Sequence, residues 1–527
     1  MAACDRILPP FAFVGGVERR LGVLDVSEMQ RSESEGKMGR AWTAVCAWWH
    51  AVSTMETGSH RLLQRAGGVV AVLWTLNFLP LVSPFFLPPF PTQYPDSWNL
   101  FAAVPHPLWT YGLFVAALFS GWCLWRDRAQ RRAALFMVLF TSATVVTARP
   151  LTSGSAAVSV LFFAFLALIP GGKAGSLAVF GLRLQVFLIY FCGILYKLAD
   201  PAWNLGYPLA GTLLGGSWSS AFGEWVGAVL PGGAQNFLGQ ITLFVEAVMP
   251  FLFFFGFRHL WLRRTAMLVM VGLHVGTALL MSLEVFPWVM VAVLLAFWDD
   301  ELTEKLRIWW EKVPNLSAER WREVAAGLLV ALIVFAASVQ TLLPALGVKS
   351  ELGKGFLSTA NKQARFGQHW GMFTHSKFNL GESRKKPRKT YRTTRLLVRV
   401  EGGGYWDPLT GRESSVARVF SDGVYHADSM RKAVEYSYKA KGRWQRRVLD
   451  SLAVWALDQA LAAGQTPTHI MTYRYARALD FSKADPEGGM NVIGRMWDRY
   501  PVVNGALGAG ERIETGSTKA VRFLPKE

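Results

Sequence analysis

The sequence predicts an all-α polytopic membrane protein of about nine transmembrane helices, carrying a small soluble α+β domain at its C-terminal end. Three observations carry this expectation. The 527-residue chain is 52% hydrophobic and only 17% charged, whereas soluble domains are usually about a quarter charged. The shortage of charge is confined to the first two thirds, where apolar runs are long enough to span hydrocarbon. The basic connections between those runs also alternate along the chain, as they do when a polypeptide crosses a bilayer repeatedly.

Residues 1–60 read as a cytoplasmic N-terminal segment. Its start, MAACDRILPPFAF, lacks a basic-then-apolar signal peptide with a cleavage site, so the first span is expected to serve as the insertion signal. The Trp-bearing stretch RAWTAVCAWWH (40–50) is expected to lie along the interface.

A transmembrane domain is expected over 61–345, with helices near 67–87, 107–125, 132–148, 153–170, 181–198, 236–257, 265–282, 284–298 and 322–345. Four basic segments follow the second, fourth, sixth and eighth of these: WRDRAQRR (125–132), GGKAGS with Arg183 after it, RHLWLRR (258–264) and WDDELTEKLRIWWEKVP (298–314). The other connections, RPLTSG, SLEV and the long 199–234 stretch, are nearly free of Lys and Arg. The positive-inside rule then places the N-terminus in the cytoplasm. An odd number of spans puts the C-terminal domain on the outer side, the periplasm if the chain sits in a bacterial inner membrane; losing one helix reverses that. The 199–234 connection is too Gly-rich and aromatic for a solvated linker, and is expected to re-enter the protein or dip into the interface.

The basic extramembrane domain spans 346–527. SRKKPRKTYRTTRLLVRV (383–400) begins basic and then alternates like a strand, GGG (402–404) turns the chain, and 430–463 reads as a helix with apolar positions from Trp444 through Leu449, Leu452, Trp455 and Leu461.

The net charge of +18 points to cytoplasmic loops and anionic lipid headgroups rather than to nucleic acid. The four cysteines, Cys4, Cys46, Cys123 and Cys192, precede the C-terminal domain and show neither metal spacing nor a disulfide framework. No GxxxxGK, HExxH, GxSxG or CxxC pattern occurs. His369 and His375 lie close together, but no Cys or carboxylate ligands follow them, so no metal site is expected.

Three ionisable residues fall inside spans: Lys197 near the outer end of the fifth, Glu246 about ten residues into the sixth, and His274 near the middle of the seventh. Charge at bilayer depth is costly unless paired or hydrated, so such residues are functional hypotheses by default. Each also has a structural reading. Lys197 can snorkel to the headgroups, Glu246 can be a neutral acid or the buried partner of Lys197 or Arg183, and His274 can bond neighbouring helices. Because the three spans are consecutive, the side chains can share one polar cavity, beside which Gly193 and Pro250 add openings or kinks and Cys192 and Tyr196 add lining.

RLQVFLIYFCGILYKLADPAWNLGYPL (183–209), EAVMPFLFFF (246–255), LHVGTALLMSLEVFPWVMV (273–291) and QHWGMFTHS (368–376) resemble the horizontally transferred transmembrane (HTTM) domain family, which includes the vitamin K-dependent gamma-carboxylase. The resemblance covers most of 60–380. In the carboxylase a membrane-embedded lysine deprotonates a reduced quinone, which reacts with oxygen to yield the base that acts on glutamate. The resemblance implies that Lys197 matches this lysine, with Trp203 and Gly206-Tyr207 in register downstream, Glu246 an acidic position in the next helix, and His274 a histidine in the one after. The candidate catalytic residues are therefore Lys197, Glu246 and His274, and the candidate substrate-binding residues are Trp203, Tyr207, Tyr196 and Arg183. The chain departs from the family where Tyr196-Lys197 replaces two adjacent lysines, and its C-terminal part carries none of the carboxylase's substrate-binding sequence. A quinone cavity is thus a better expectation than protein carboxylation.

Two functions follow. One is an enzyme acting on a lipid-soluble quinol with Lys197 as base. The other is a noncatalytic scaffold or accessory subunit whose C-terminal domain docks a protein partner, through RKKPRK (384–389) and the aromatic Trp406, Trp444 and Trp455; the two helical tryptophans read also as core. A transporter would show matching broken helices in two halves, and no such symmetry is visible.

Overall fold

The computed structural model describes residues 42–55, 57–79, 100–104, 106–147, 154–170, 176–198, 219–256, 259–298, 320–342, 388–408, 411–414, 443–480, 492–509, 511–512 and 521–523. Val82, Phe86, Trp203, Pro208, Leu209, Thr212 and Leu213 are described singly or in pairs between them. The protein is mostly helical, with a small sheet at the C-terminal end.

Among the described residues the first helix is α1 (42–53). The helical part continues through α2 (Thr57–Phe78), α3 (Pro107–Trp125), α4 (Gln130–Thr147), α5 (Gly154–Leu168), α6 (Leu177–Leu198), α7 (Ala221–Val229), α8 (Gly232–Phe255), α9 (Leu260–Leu280), α10 (Phe286–Leu294) and α11 (Arg320–Ala337). A 3-10 turn (Leu295–Phe297) ends α10, and a π-helical turn (Ser338–Leu342) ends α11. Four segments are long and apolar enough to cross a membrane: Pro107–Trp125, Leu177–Leu198, Gly232–Phe255 and Trp321–Gln340. They make this a membrane-embedded protein. Their outward faces agree: Leu108, Val115 and Phe119 on α3, and Phe237 and Phe244 on α8, are all exposed and apolar, which suits contact with lipid.

Helices also stand at the other five places that hydropathy marks, but each is too short or too polar to span on those criteria alone. The polarity has a local cause. In α4, Thr141 and Thr144 donate to the carbonyls of Met137 (2.6 Å) and Phe140 (2.7 Å) one turn back, so the hydroxyls are satisfied without leaving the helix. Near its start α2 carries His60, Arg61 and Gln64, all buried. Hydropathy favours the apolar part of this helix and so sets its expected start about ten residues late, whereas tertiary packing buries the polar turns, and the Gln64 amide donates to the Gln130 side chain of α4.

α6 is central, packing against α5, α8, α10 and α11. α1 is docked rather than free: the Trp48 indole donates to the Phe254 carbonyl (3.2 Å), and the Trp48 and Trp49 rings lie against Phe180. Trp42 faces outward. Within the long 199–234 connection, α7 is capped by Ser220, whose Oγ accepts from the Gly223 amide at 2.9 Å. The Ser220 amide in turn donates to the Leu280 carbonyl (3.0 Å), which pins α7 to the end of α9. Phe222, Trp225 and Val229 are left exposed.

The C-terminal sheet comprises β1 (Arg388–Val400), β2 (Tyr405–Asp407), β3 (Arg412–Ser414), β4 (Pro467–Asp480), β5 (Val492–Val503), β6 (Ala506–Leu507), β7 (Glu511–Arg512) and β8 (Val521–Phe523). The order is β3-β2-β1-β4-β5-β6, with β7 and β8 also paired to β5, and every described pairing is antiparallel. Gly402 and Gly403, at φ +84° and +90°, form the turn between β1 and β2, a backbone region that costs glycine least. α12 (Arg443–Ala462) packs on β1 and β4. Its buried Leu449, Leu452 and Ala456 share a core with Leu396, Val398 and Ile470, and Val398 sits opposite Ile470 in the register. The expected 430–463 helix therefore has its described part at Arg443–Ala462, and RKKPRK lies outside the described residues apart from its last two positions.

Candidate functional site

The site grows from one face of α6. Tyr190 and Lys197 are seven residues apart, which is close to two helical turns, so they project from the same side. Gly193 lies between them on that stripe and is buried. Lys197 sits in the last turn of α6, where the helix dipole favours a cation. Its Nζ forms an ion pair with the Glu246 carboxylate of α8 and lies 4.5 Å from the centroid of the Trp203 ring. The lysine is therefore held by an anion and by an aromatic face at once. Both partners are largely buried, with side-chain exposures of 8% and 15%.

Glu246 is placed by an unusual stretch of helix. Pro250, four residues later and inside α8, has no N–H to donate, so the Glu246 carbonyl loses its regular helical partner.

His274, near the middle of α9, is 5% exposed. Its Nε2 lies 2.5 Å from the Tyr190 hydroxyl, while Nδ1 is buried and has no hydrogen-bond partner among the described residues. Phe253 and Phe286 lie edge-on to the pair, with ring centroids 6.3 Å from Tyr190 and 6.0 Å from His274 respectively. Tyr190 and Lys197, on one stripe of α6, set the Tyr190–His274 contact and the Lys197–Glu246 pair on the same side of that helix. The four polar groups thus form one cluster walled by aromatic rings, with α6, α8 and α9 each contributing.

Other anticipated residues are placed elsewhere. Tyr196 points away from Lys197 and donates to the Gln340 carbonyl (2.8 Å) in the π-helical turn. Arg183 is fourteen positions before Lys197, about 21 Å along α6. There its Nε donates to the Ala296 carbonyl (2.7 Å), and its Nη1 donates to the carbonyls of Ala51, Val52 and Thr54 at 2.8–3.0 Å. A guanidinium across these carbonyls ties the end of α1 to the end of α10; it does not reach the cluster. Trp203 joins the cluster, Tyr207 lies outside the described residues, and Cys192 is buried on α6.

Tyr190 escaped notice in the sequence because tyrosine is ordinary in membrane helices. The usable signal was its seven-residue spacing from Lys197. No group of three or more possible metal ligands occurs among the described residues, and His369 and His375 lie outside them.

The arrangement sets a buried ion pair (Lys197 and Glu246) on the same face of α6 as an imidazole held by a tyrosine, in aromatic surroundings. No family model, curated protein or solved structure matches this chain.

Proposed function

We propose that the chain is a carboxylase-like integral membrane enzyme of the HTTM type, acting on a lipid-soluble quinol-type substrate with Lys197 as base. The observation that carries this reading is the convergence of Lys197, Glu246 and His274, from three successive long helices, on one buried aromatic-walled cluster. The residues fit a quinol: Trp203, Tyr190, Phe253 and Phe286 offer aromatic surface, and the His274 Nδ1 is a buried polar atom with no described partner.

Lys197 passes a proton to the carboxylate it touches, leaving a neutral amine beside a neutral acid. The amine then takes the hydroxyl proton of the quinol, the electron pair staying on the substrate oxygen. Shielding by the surrounding helices makes this exchange between paired groups less costly than creating a lone buried charge. In the same proposal, helices at all nine places cross a bacterial inner membrane, with the N-terminus cytoplasmic and the C-terminal domain periplasmic.

The test is purification with native lipids, followed by extraction and mass spectrometry, comparing the wild type with Lys197→Met. The expected result is a quinone in stoichiometric amount that is lost in the variant. Bulk phospholipid alone in both samples would overturn the proposal. The ion pair would then serve to hold helices together in a noncatalytic scaffold, with the C-terminal domain docking a protein partner.

A further inference from the structure

We propose that Tyr190 is a positioning residue that holds the His274 imidazole in the tautomer with its proton on Nδ1, so that His274 presents one N–H donor to an oxygen of the bound substrate. The proposal rests on the quinol reading of the same cluster and adds which atom meets the substrate and what orients it.

Hydrogen-bond accounting selects the direction of the Tyr190–His274 contact. In a neutral imidazole one nitrogen donates and the other accepts. If Nε2–H donated to the tyrosine oxygen, the phenolic proton and the Nδ1 lone pair would both be buried without a partner among the described residues, because the contact to Nε2 is the hydroxyl's described bond. If the hydroxyl donates to Nε2, only the Nδ1–H remains unsatisfied. Each buried polar group without a partner is costly, so the arrangement with one such group prevails. The second ring nitrogen's bond sets the protonation of the first.

The remaining donor is buried among aromatic rings with no described partner. His274 is 5% exposed, and Phe286 packs edge-on to its ring. The imidazole is thus fixed on one edge by Tyr190 and steadied by Phe286. A substrate carbonyl or hydroxyl oxygen satisfies the orphaned N–H, while a hydrocarbon leaves it unpaired. Recognition of an oxygen-bearing ring over plain lipid tails follows from this difference.

The experiment uses the full chain in lipid nanodiscs with isotope-labelled histidine. Nitrogen NMR reads the protonation of each ring nitrogen, and the His274 signal is assigned by its loss in His274→Asn. The expected wild-type spectrum has the proton on Nδ1, and Tyr190→Phe is expected to give a mixture of tautomers. A proton on Nε2 in the wild type would overturn the proposal. Menadione binding is then measured by equilibrium dialysis. Tyr190→Phe should weaken it about tenfold, the value of one oriented hydrogen bond.

Combining Tyr190→Phe with His274→Asn should recover most of that loss, because an asparagine amide places an N–H near the Nδ1 position and needs no tyrosine to orient it. His274→Gln, whose amide falls near Nε2, should not recover it. Unchanged binding in Tyr190→Phe, or no rescue by asparagine, would refute the positioning role. If menadione does not bind the wild type at all, the quinol reading fails, and the NMR spectrum still decides the role of Tyr190 by itself.

Discussion

Lys197 and Glu246 illustrate how a buried ion pair is both costly to build and costly to break. Removing one partner leaves the other charge desolvated, at about 3–5 kcal/mol, whereas replacing both with apolar groups of similar volume is often near neutral. Lys197→Met and Glu246→Leu should therefore each lower the melting temperature of the detergent-solubilised protein, and the two combined should recover most of the loss. A double variant as unstable as the sum of the singles would show that the two groups are not coupled. At this scale the sequence was informative where a residue was out of place. An ionisable side chain in an apolar run is an anomaly, so Lys197, Glu246 and His274 were legible. Arg183 read instead as part of the basic connection before the fifth span, and its role was not legible, because its partners are the backbone carbonyls of Ala51, Val52, Thr54 and Ala296, which no sequence pattern advertises.

Among the elements, α2 and α3 approach closely because glycines face each other across their contact. A Cβ added to Gly68 would meet the Gly121 carbonyl oxygen at 2.6 Å and the Trp125 nitrogen at 3.0 Å, and one added to Gly121 would meet the Gly68 oxygen at 3.0 Å. Backbone cannot move aside as a side-chain tip can, and small residues at such crossings are how membrane helices gain packing contacts. Gly68→Ala should destabilise the protein by about 1–3 kcal/mol. Gly112→Ala, on α3 with nothing within 4 Å of the added Cβ, should be tolerated. Thermal melting of both variants beside the wild type checks this, and equal behaviour would mean that the helices separate freely. Helix positions were readable from apolar length, because a helix satisfies its own backbone in a bilayer. The early start of α2 was not, since shelter for His60, Arg61 and Gln64 comes from other helices.

For the whole molecule, the proposed nine crossings make a topological prediction. Ala463 is exposed just beyond α12, and the native cysteines all precede the C-terminal domain. In intact cells a membrane-impermeant maleimide should label Ala463→Cys above the wild-type background. Labelling only after the cells are permeabilised would put the domain in the cytoplasm and remove a crossing from the proposed count. The C-terminal sheet was only partly legible. The β1 strand and the turn at Gly402–Gly403 follow from local alternation and glycine content, whereas the pairing of β1 with β4 joins segments far apart in sequence.

The sequence by itself determined that this is a membrane-embedded, mainly helical protein, and it marked the three ionisable residues within the spans. Those are local properties, set by apolar length and by the cost of charge in hydrocarbon. Only the tertiary structure decided that Lys197 meets Glu246, 49 residues away, and that Tyr190 meets His274, 84 residues away. It also decided that Arg183 belongs to a structural clamp at the other end of α6. The physical reason is that partner choice depends on how each helix is rotated about its axis and which neighbour it packs against, and these are settled by the summed packing of all the helices together.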